Sequence, residues 1–104
     1  MNDEIEITRY TCHCYSSRMH EDLVLFLYDK QSNVVGQVFA VPEGETLPPA
    51  ERRDGRVRLY FHRDAIPQVI QMLRDEGPVF LQWNGGHGAA LATGYEPVGA
   101  REGG

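Results

Sequence analysis

The sequence predicts an α+β fold: a single antiparallel sheet of about six strands in the order ββββαββ, with one amphipathic helix packed on one face. Three observations predict it. Short β-favouring runs recur along the chain between turn-forming clusters. One segment, and only one, shows apolar residues at helical spacing. The length of 104 residues suits one hydrophobic core, since two cores would leave each half too small to fold without staples. Residues 1–104 are therefore read as a single domain, and 41% hydrophobic and 10% aromatic content is enough to fill its core.

The elements follow in order. Residues 4–15 read as the first strand, with Ile5 and Ile7 alternating against Glu4 and Glu6, and Thr8, Tyr10, Thr11 and Tyr15 following. Residues 16–22 form a turn. Leu23 to Tyr28 is apolar at every position, as expected of a central strand covered on both faces. Asp29 to Asn33 is a polar connection, and Val34 to Val41 returns as the hairpin partner, with Gly36 marking a bulge or a close approach. From Pro42 to Gly55 three prolines, two glycines and six charges show no period, so 42–55 reads as a long surface loop and a candidate contact segment. Arg56 to His62 alternates again: Val57, Leu59 and Phe61 face one way, Arg58, Tyr60 and His62 the other.

The helix spans 64–76. Asp64 is the expected N-cap, Pro67 sits in the first turn, Ile66, Val69, Ile70 and Leu73 make one stripe, and Gly77-Pro78 ends it. Val79 to Trp83 is the next strand, Asn84 to Gly88 a glycine-rich turn, Ala89 to Tyr95 the last strand, and 97–104 a frayed tail. A helix about 10 Å wide shields only two or three strands spaced about 4.8 Å apart. Either the sheet curls strongly or a second molecule closes the open face, and the apolar strand 23–28 favours a homodimer.

Charge and motifs narrow the function. A net charge of -5 argues against a general duplex-DNA binder. No apolar run is long enough for a membrane helix, and the acidic start MNDEIEI lacks the features of a secretory signal, so a cytoplasmic setting is expected. Cys12 and Cys14 are too closely spaced for an ordinary disulfide within one strand and are expected as half-buried free thiols. A zinc site using Cys12, Cys14 and His20 lacks a fourth ligand, and His13 alternates to the opposite face, so no metal and no cofactor is expected. WNGGHG is not completed as a phosphate loop, because no helix and no Lys-Ser/Thr follow it. The four histidines are dispersed and no nucleophile stands beside a base, so no catalytic site is read and the chain is taken as non-enzymatic.

The candidate binding residues are Arg52, Arg53, Arg56, Arg58, Tyr60 and His62. Five of the nine arginines fall between Arg52 and Arg63, and Arg56, Arg58, Tyr60 and His62 share one strand face. Arginine and tyrosine dominate protein-protein hot spots, and the same groups hold single-stranded nucleic acid by phosphate contact and base stacking. Glu4, Glu6 and other carboxylates on neighbouring strands are the expected cross-strand neutralisers of such a face, and Glu51, Asp54 and Asp64 flank the cluster. Four strands followed by a helix is similar, in element order alone, to small single-strand-binding modules of the Whirly and Pur types. None of their signature residues is present, so no family is assigned. The resulting reading is a small interaction module acting through protein-protein contacts as a homodimer, with single-stranded nucleic acid as the alternative partner.

Overall fold

A computed structural model describes residues 3–16 and 23–93. It is an α+β fold with one α-helix and largely antiparallel strands, but with two sheets in place of the single sheet expected. β1 (Asp3–Ile7), β7 (Val79–Trp83) and β8 (Ala89–Thr93) form a three-stranded sheet in the order β1-β7-β8. β2 (Arg9–Cys14), β3 (Leu23–Tyr28), β4 (Val34–Val41), β5 (Glu51–Arg53) and β6 (Arg56–His62) form a five-stranded sheet in the order β2-β3-β4-β6-β5.

The strand expected at 4–15 divides at Thr8. β1 pairs with β7 and β2 with β3, so one continuous segment passes from one sheet into the other. The bend is held by the end of β3: Thr8 N–H donates to the Tyr28 carbonyl at 2.9 Å, and its hydroxyl donates to the Asp29 carbonyl at 2.9 Å. This second layer accounts for one face of the all-apolar β3; the other face was expected to be covered too, but Phe26 and Tyr28 on it are only half-buried. Leu25 and Leu27 are fully buried with Val38, Leu59 and Leu81, so the small sheet covers the face that the helix alone could not. β3 is second from the edge, between β2 and β4.

The β3–β4 hairpin is as expected. Its connection closes on Asp29, whose Oδ1 accepts from the N–H groups of Gln31 at 3.0 Å and Asn33 at 2.9 Å, an Asx-type turn. The ladder shifts register between Leu27 and Tyr28, opposite Gly36. A Cβ on Gly36 would lie 3.0 Å from Leu81 Cδ2 and 3.1 Å from Leu27 Cδ1. Glycine suits the close approach of Leu81 on β7 to β4, where a side chain would press on Leu81 and Leu27, the close contact that its place in a strand implied.

Two features of the region 42–62 differ from expectation. Residues 51–53 are a strand, not loop, because Asp54 (φ 56°) and Gly55 (φ 76°) make a two-residue turn with both residues left-handed. β6 then lies parallel to β4, so the five-stranded sheet is mixed.

α1 runs from Ile66 to Asp75, preceded by a 3-10 turn at Arg63–Ala65. Asp64 falls within that turn, is exposed, and caps nothing: the residue before the helix is Ala65, and no side chain caps the N-terminus. The stripe is the expected one. Ile66 and Val69 are buried, and Ile70 and Leu73 pack against the core from its margin. Glu76 takes up extended backbone and ends the helix before Gly77-Pro78. The turn at 84–88 is a hairpin connection between β7 and β8, closed by Asn84 N–H donating to the Gly88 carbonyl at 2.8 Å. The last strand is described as far as Thr93; its expected end at Tyr95, the tail 97–104, and the side chain of His87 lie outside the described residues. Among the described residues no helix is long and apolar enough to cross a membrane.

Candidate interaction surface

Alternation along β2, β3, β4 and β6 divides the five-stranded sheet into two faces. The inner face holds Leu25, Leu27, Val38, Ala40, Val57 and Leu59, all in the core. The outer face is assembled by the register. His13, Val24, Phe39 and Tyr60 stand in one cross-strand row, and Thr11, Phe26, Gln37, Arg58 and Glu51 in the next. Arg9 opposite Tyr28 extends one end, and Val41 opposite His62 the other.

The rings and guanidinium groups on this face pack on each other. Phe39 and Tyr60 stack with centroids 5.4 Å apart and planes 23° off parallel, and the Arg58 guanidinium lies 5.9 Å from the Phe39 centroid. At the other edge the Arg9 guanidinium lies 5.2 Å over the Tyr28 ring, while His13 meets Phe26 edge-on at 4.9 Å. Such pairs favour the observed arrangement by about 0.5–1.5 kcal/mol each for rings and about 0.5–1 kcal/mol for exposed cation-π contacts. Phe39 is consequently 8% exposed, while Phe26, Tyr28, Gln37, Arg58 and Tyr60 remain half-buried. The surface is a packed aromatic patch with guanidinium groups over its rings.

Of the residues singled out in the sequence, Arg58, Tyr60 and His62 stand on this face as alternation predicts. Arg56 and Arg53 oppose each other at its lower edge, where two like charges would repel. Arg53 is drawn to its own strand's Glu51 at 3.3 Å. Arg52 belongs to the opposite side. It pairs in register with buried Val57 and reaches across to Asp3 of β1, with 2.6 Å between Nη1 and Oδ2, tying the edges of the two sheets together. Of the carboxylates expected to neutralise the face, Glu4 and Glu6 do not, and the flanking Glu51 does. Glu4 and Glu6 lie on β1 in the other sheet, where Glu4 accepts from Gln82 Nε2 at 2.9 Å. Glu51 takes their place, opposite Arg58 and 3.5 Å from the Tyr60 hydroxyl. Among the described residues the buried His62 Nδ1 has no hydrogen-bond partner.

Sequence reasoning missed Arg9, His13, Phe26, Tyr28 and Phe39 as members of the surface. Alternation would have placed Phe26 and Tyr28 together, but a run apolar at every position shows no wet face. Phe39 and Arg9 join only through the pairing of β4 with β6 and β2 with β3. Comparison with protein-family models, with curated proteins and with solved structures found no match to this chain. Its own geometry therefore carries the functional reading.

Cys12 and Cys14 are free and exposed, not half-buried. Among the described residues no group of three or more His, Cys, Asp or Glu side chains is placed to hold a metal ion, and His20, the third residue of the zinc pattern, lies outside the described residues.

Proposed function

We propose that this chain is a small non-enzymatic interaction module that binds protein through the outer face of its five-stranded sheet, a second copy of itself being the first partner. The observation that carries this reading is the composition and packing of that face. Phe26, Tyr28, Tyr60 and Arg58 form one half-buried patch with the exposed Arg9 at its edge, and aromatic residues and arginine are the groups enriched at the centres of protein interfaces. Stacked rings and guanidinium groups held over them lose little side-chain freedom on docking, because much of it is already spent. Each Arg or Tyr anchor also presents an apolar body with a polar rim.

Single-stranded nucleic acid is the second reading, favoured by the same row of Arg56, Arg58 and Tyr60. Three observations weigh against it. Glu51 stands within the row, Arg52 and Arg53 are engaged with Asp3 and Glu51, and the open ring faces of Tyr28 and Phe39 already have guanidinium neighbours. A reducing, cytoplasmic setting goes with the proposal, since two exposed free thiols persist there.

The test is the Phe26→Glu variant. Phe26 points outward, opposite Thr11 and Gln37, so a carboxylate there sits in the centre of the patch and outside the core. The expected result is a wild-type dimer that Phe26→Glu converts to a folded monomer. A fluorescent single-stranded oligonucleotide titrated at low and high salt separates the second reading, which requires binding that falls steeply as salt rises.

A further inference from the structure

β2 is an edge strand, and its end carries two thiols that the interaction face does not use. Tyr10, Cys12 and Cys14 share one side of the strand, while Thr11 and His13 share the other. Both cysteines are exposed, although they pair in register with buried Leu25 and with Leu23. Neither the small sheet nor the helix covers them. Their Sγ atoms are 4.0 Å apart. Within a strand, only side chains two residues apart on an uncovered stretch converge in this way without distorting the ladder.

We propose that Cys12 and Cys14 form a two-sulfur chelate for a soft monovalent cation of the Cu(I) class. Two thiols 4.0 Å apart are close enough for one ion to bridge. A two-coordinate Cu(I) holds its thiolates nearly in line, which a small outward rotation of these two exposed side chains allows. The donor set selects the ion. Thiolate ligands favour Cu(I) among biological metals, whereas a structural Zn²⁺ site closes only with four donors. Two sulfurs satisfy a low-coordinate d¹⁰ cation and leave Zn²⁺ half-bound. His13 supplies no third ligand, because it faces the other side of the strand and packs on Phe26.

Binding breaks two S–H bonds, forms two sulfur–metal bonds and releases two protons to solvent, with no change in oxidation state. An ion that displaces both protons removes the repulsion between two adjacent thiolates. The apparent affinity should accordingly rise with pH until both thiols are ionised.

The experiment titrates the anaerobically reduced full chain with Cu(I) against a chromophoric Cu(I) chelator, with Zn²⁺ in a parallel arm. The expected result is one Cu(I) withdrawn per chain, with a thiolate-to-copper charge-transfer band, and Zn²⁺ held far more weakly. Cys12→Ser and Cys14→Ser should each lower the affinity for Cu(I) by at least about 100-fold, since loss of even an outer-shell partner of a metal ligand costs about 10–100-fold. Circular dichroism should be unchanged in both variants, because the side chains are exposed. Failure of the wild type to compete with the chelator, wild-type affinity in either serine variant, or Zn²⁺ binding as tight as Cu(I) would each overturn the proposal.

Discussion

The two faces of the five-stranded sheet are built from the same strands by alternate residues, yet they answer different demands. On the inner face Leu25, Leu27 and Val38 are fully buried in the core with Leu81 of β7, and a side chain at Gly36 would press on Leu81 and Leu27. On the outer face the residues between them are larger, ringed or charged, and they fill gaps by stacking on one another. The inner face is shaped by a partner within the chain. The outer face has aromatic bulk, polar rims and half-exposure, which is what a surface shaped for a partner outside the chain carries. The contrast teaches that an all-apolar strand need not have two equivalent buried faces: β3 has a core face at Leu25 and Leu27 and a half-buried outer face at Phe26 and Tyr28, which is the face proposed for recognition.

That contrast sets a hierarchy of expected effects. The largest belongs to the inner face. Leu25→Ala should cost about 2–5 kcal/mol of folding stability through lost burial and the cavity left behind, read from the midpoint of urea unfolding. Gly36→Leu should be at least as damaging, since the new side chain has no room below Leu81; its signature is loss of cooperative unfolding.

On the outer face the effects should move from folding to binding. Arg58→Ala and Tyr60→Ala should each weaken self-association or partner binding by about 2 kcal/mol or more. Each should also lower folding stability by only about 0.5–1.5 kcal/mol, the value of a stacking or cation-π contact with Phe39. Parallel isothermal titration and thermal unfolding would separate the two. Equal losses in both measurements would mean that these side chains serve the fold alone.

The smallest effect is expected at Arg52. It lies on the side of the sheet opposite the aromatic patch, and its bridge to Asp3 is solvent-exposed. Arg52→Ala should change stability by about 0–1 kcal/mol and leave binding as it was, measured by the same pair of experiments. A large binding loss at Arg52 would move the contact surface from the outer face to the joint between the sheets.

How much of this was legible in the sequence depends on which interactions set each feature. The hairpin from Leu23 to Val41 and the helical stripe Ile66, Val69, Ile70 and Leu73 are local patterns, and both stand where the periodicity puts them. The bend at Thr8 was hidden because no glycine or proline marks it; its cause is a pair of hydrogen bonds to Tyr28 and Asp29, some twenty residues away in sequence. Strand alternation is blind to direction, so the parallel pairing of β4 with β6 could not be read from it. β5 was obscured by its surroundings. Asp54-Gly55 is a strong turn signal, but the residues before it are charged and follow two prolines, and strand character there comes from pairing with β6. The site was half visible for the same reason. Arg58 and Tyr60 show in the alternation of one strand, whereas Phe39, Phe26 and Arg9 join them only once the sheet is assembled.

The central claim, that the outer face of the five-stranded sheet is a protein interface used first between copies of this chain, is tested most directly by sedimentation velocity at micromolar concentration on the wild type and on Phe26→Glu. The account predicts a wild-type species of twice the 11.8 kDa chain mass and a folded monomer for the variant. A wild type that sediments as a clean monomer, or a Phe26→Glu protein that remains a dimer, would contradict it.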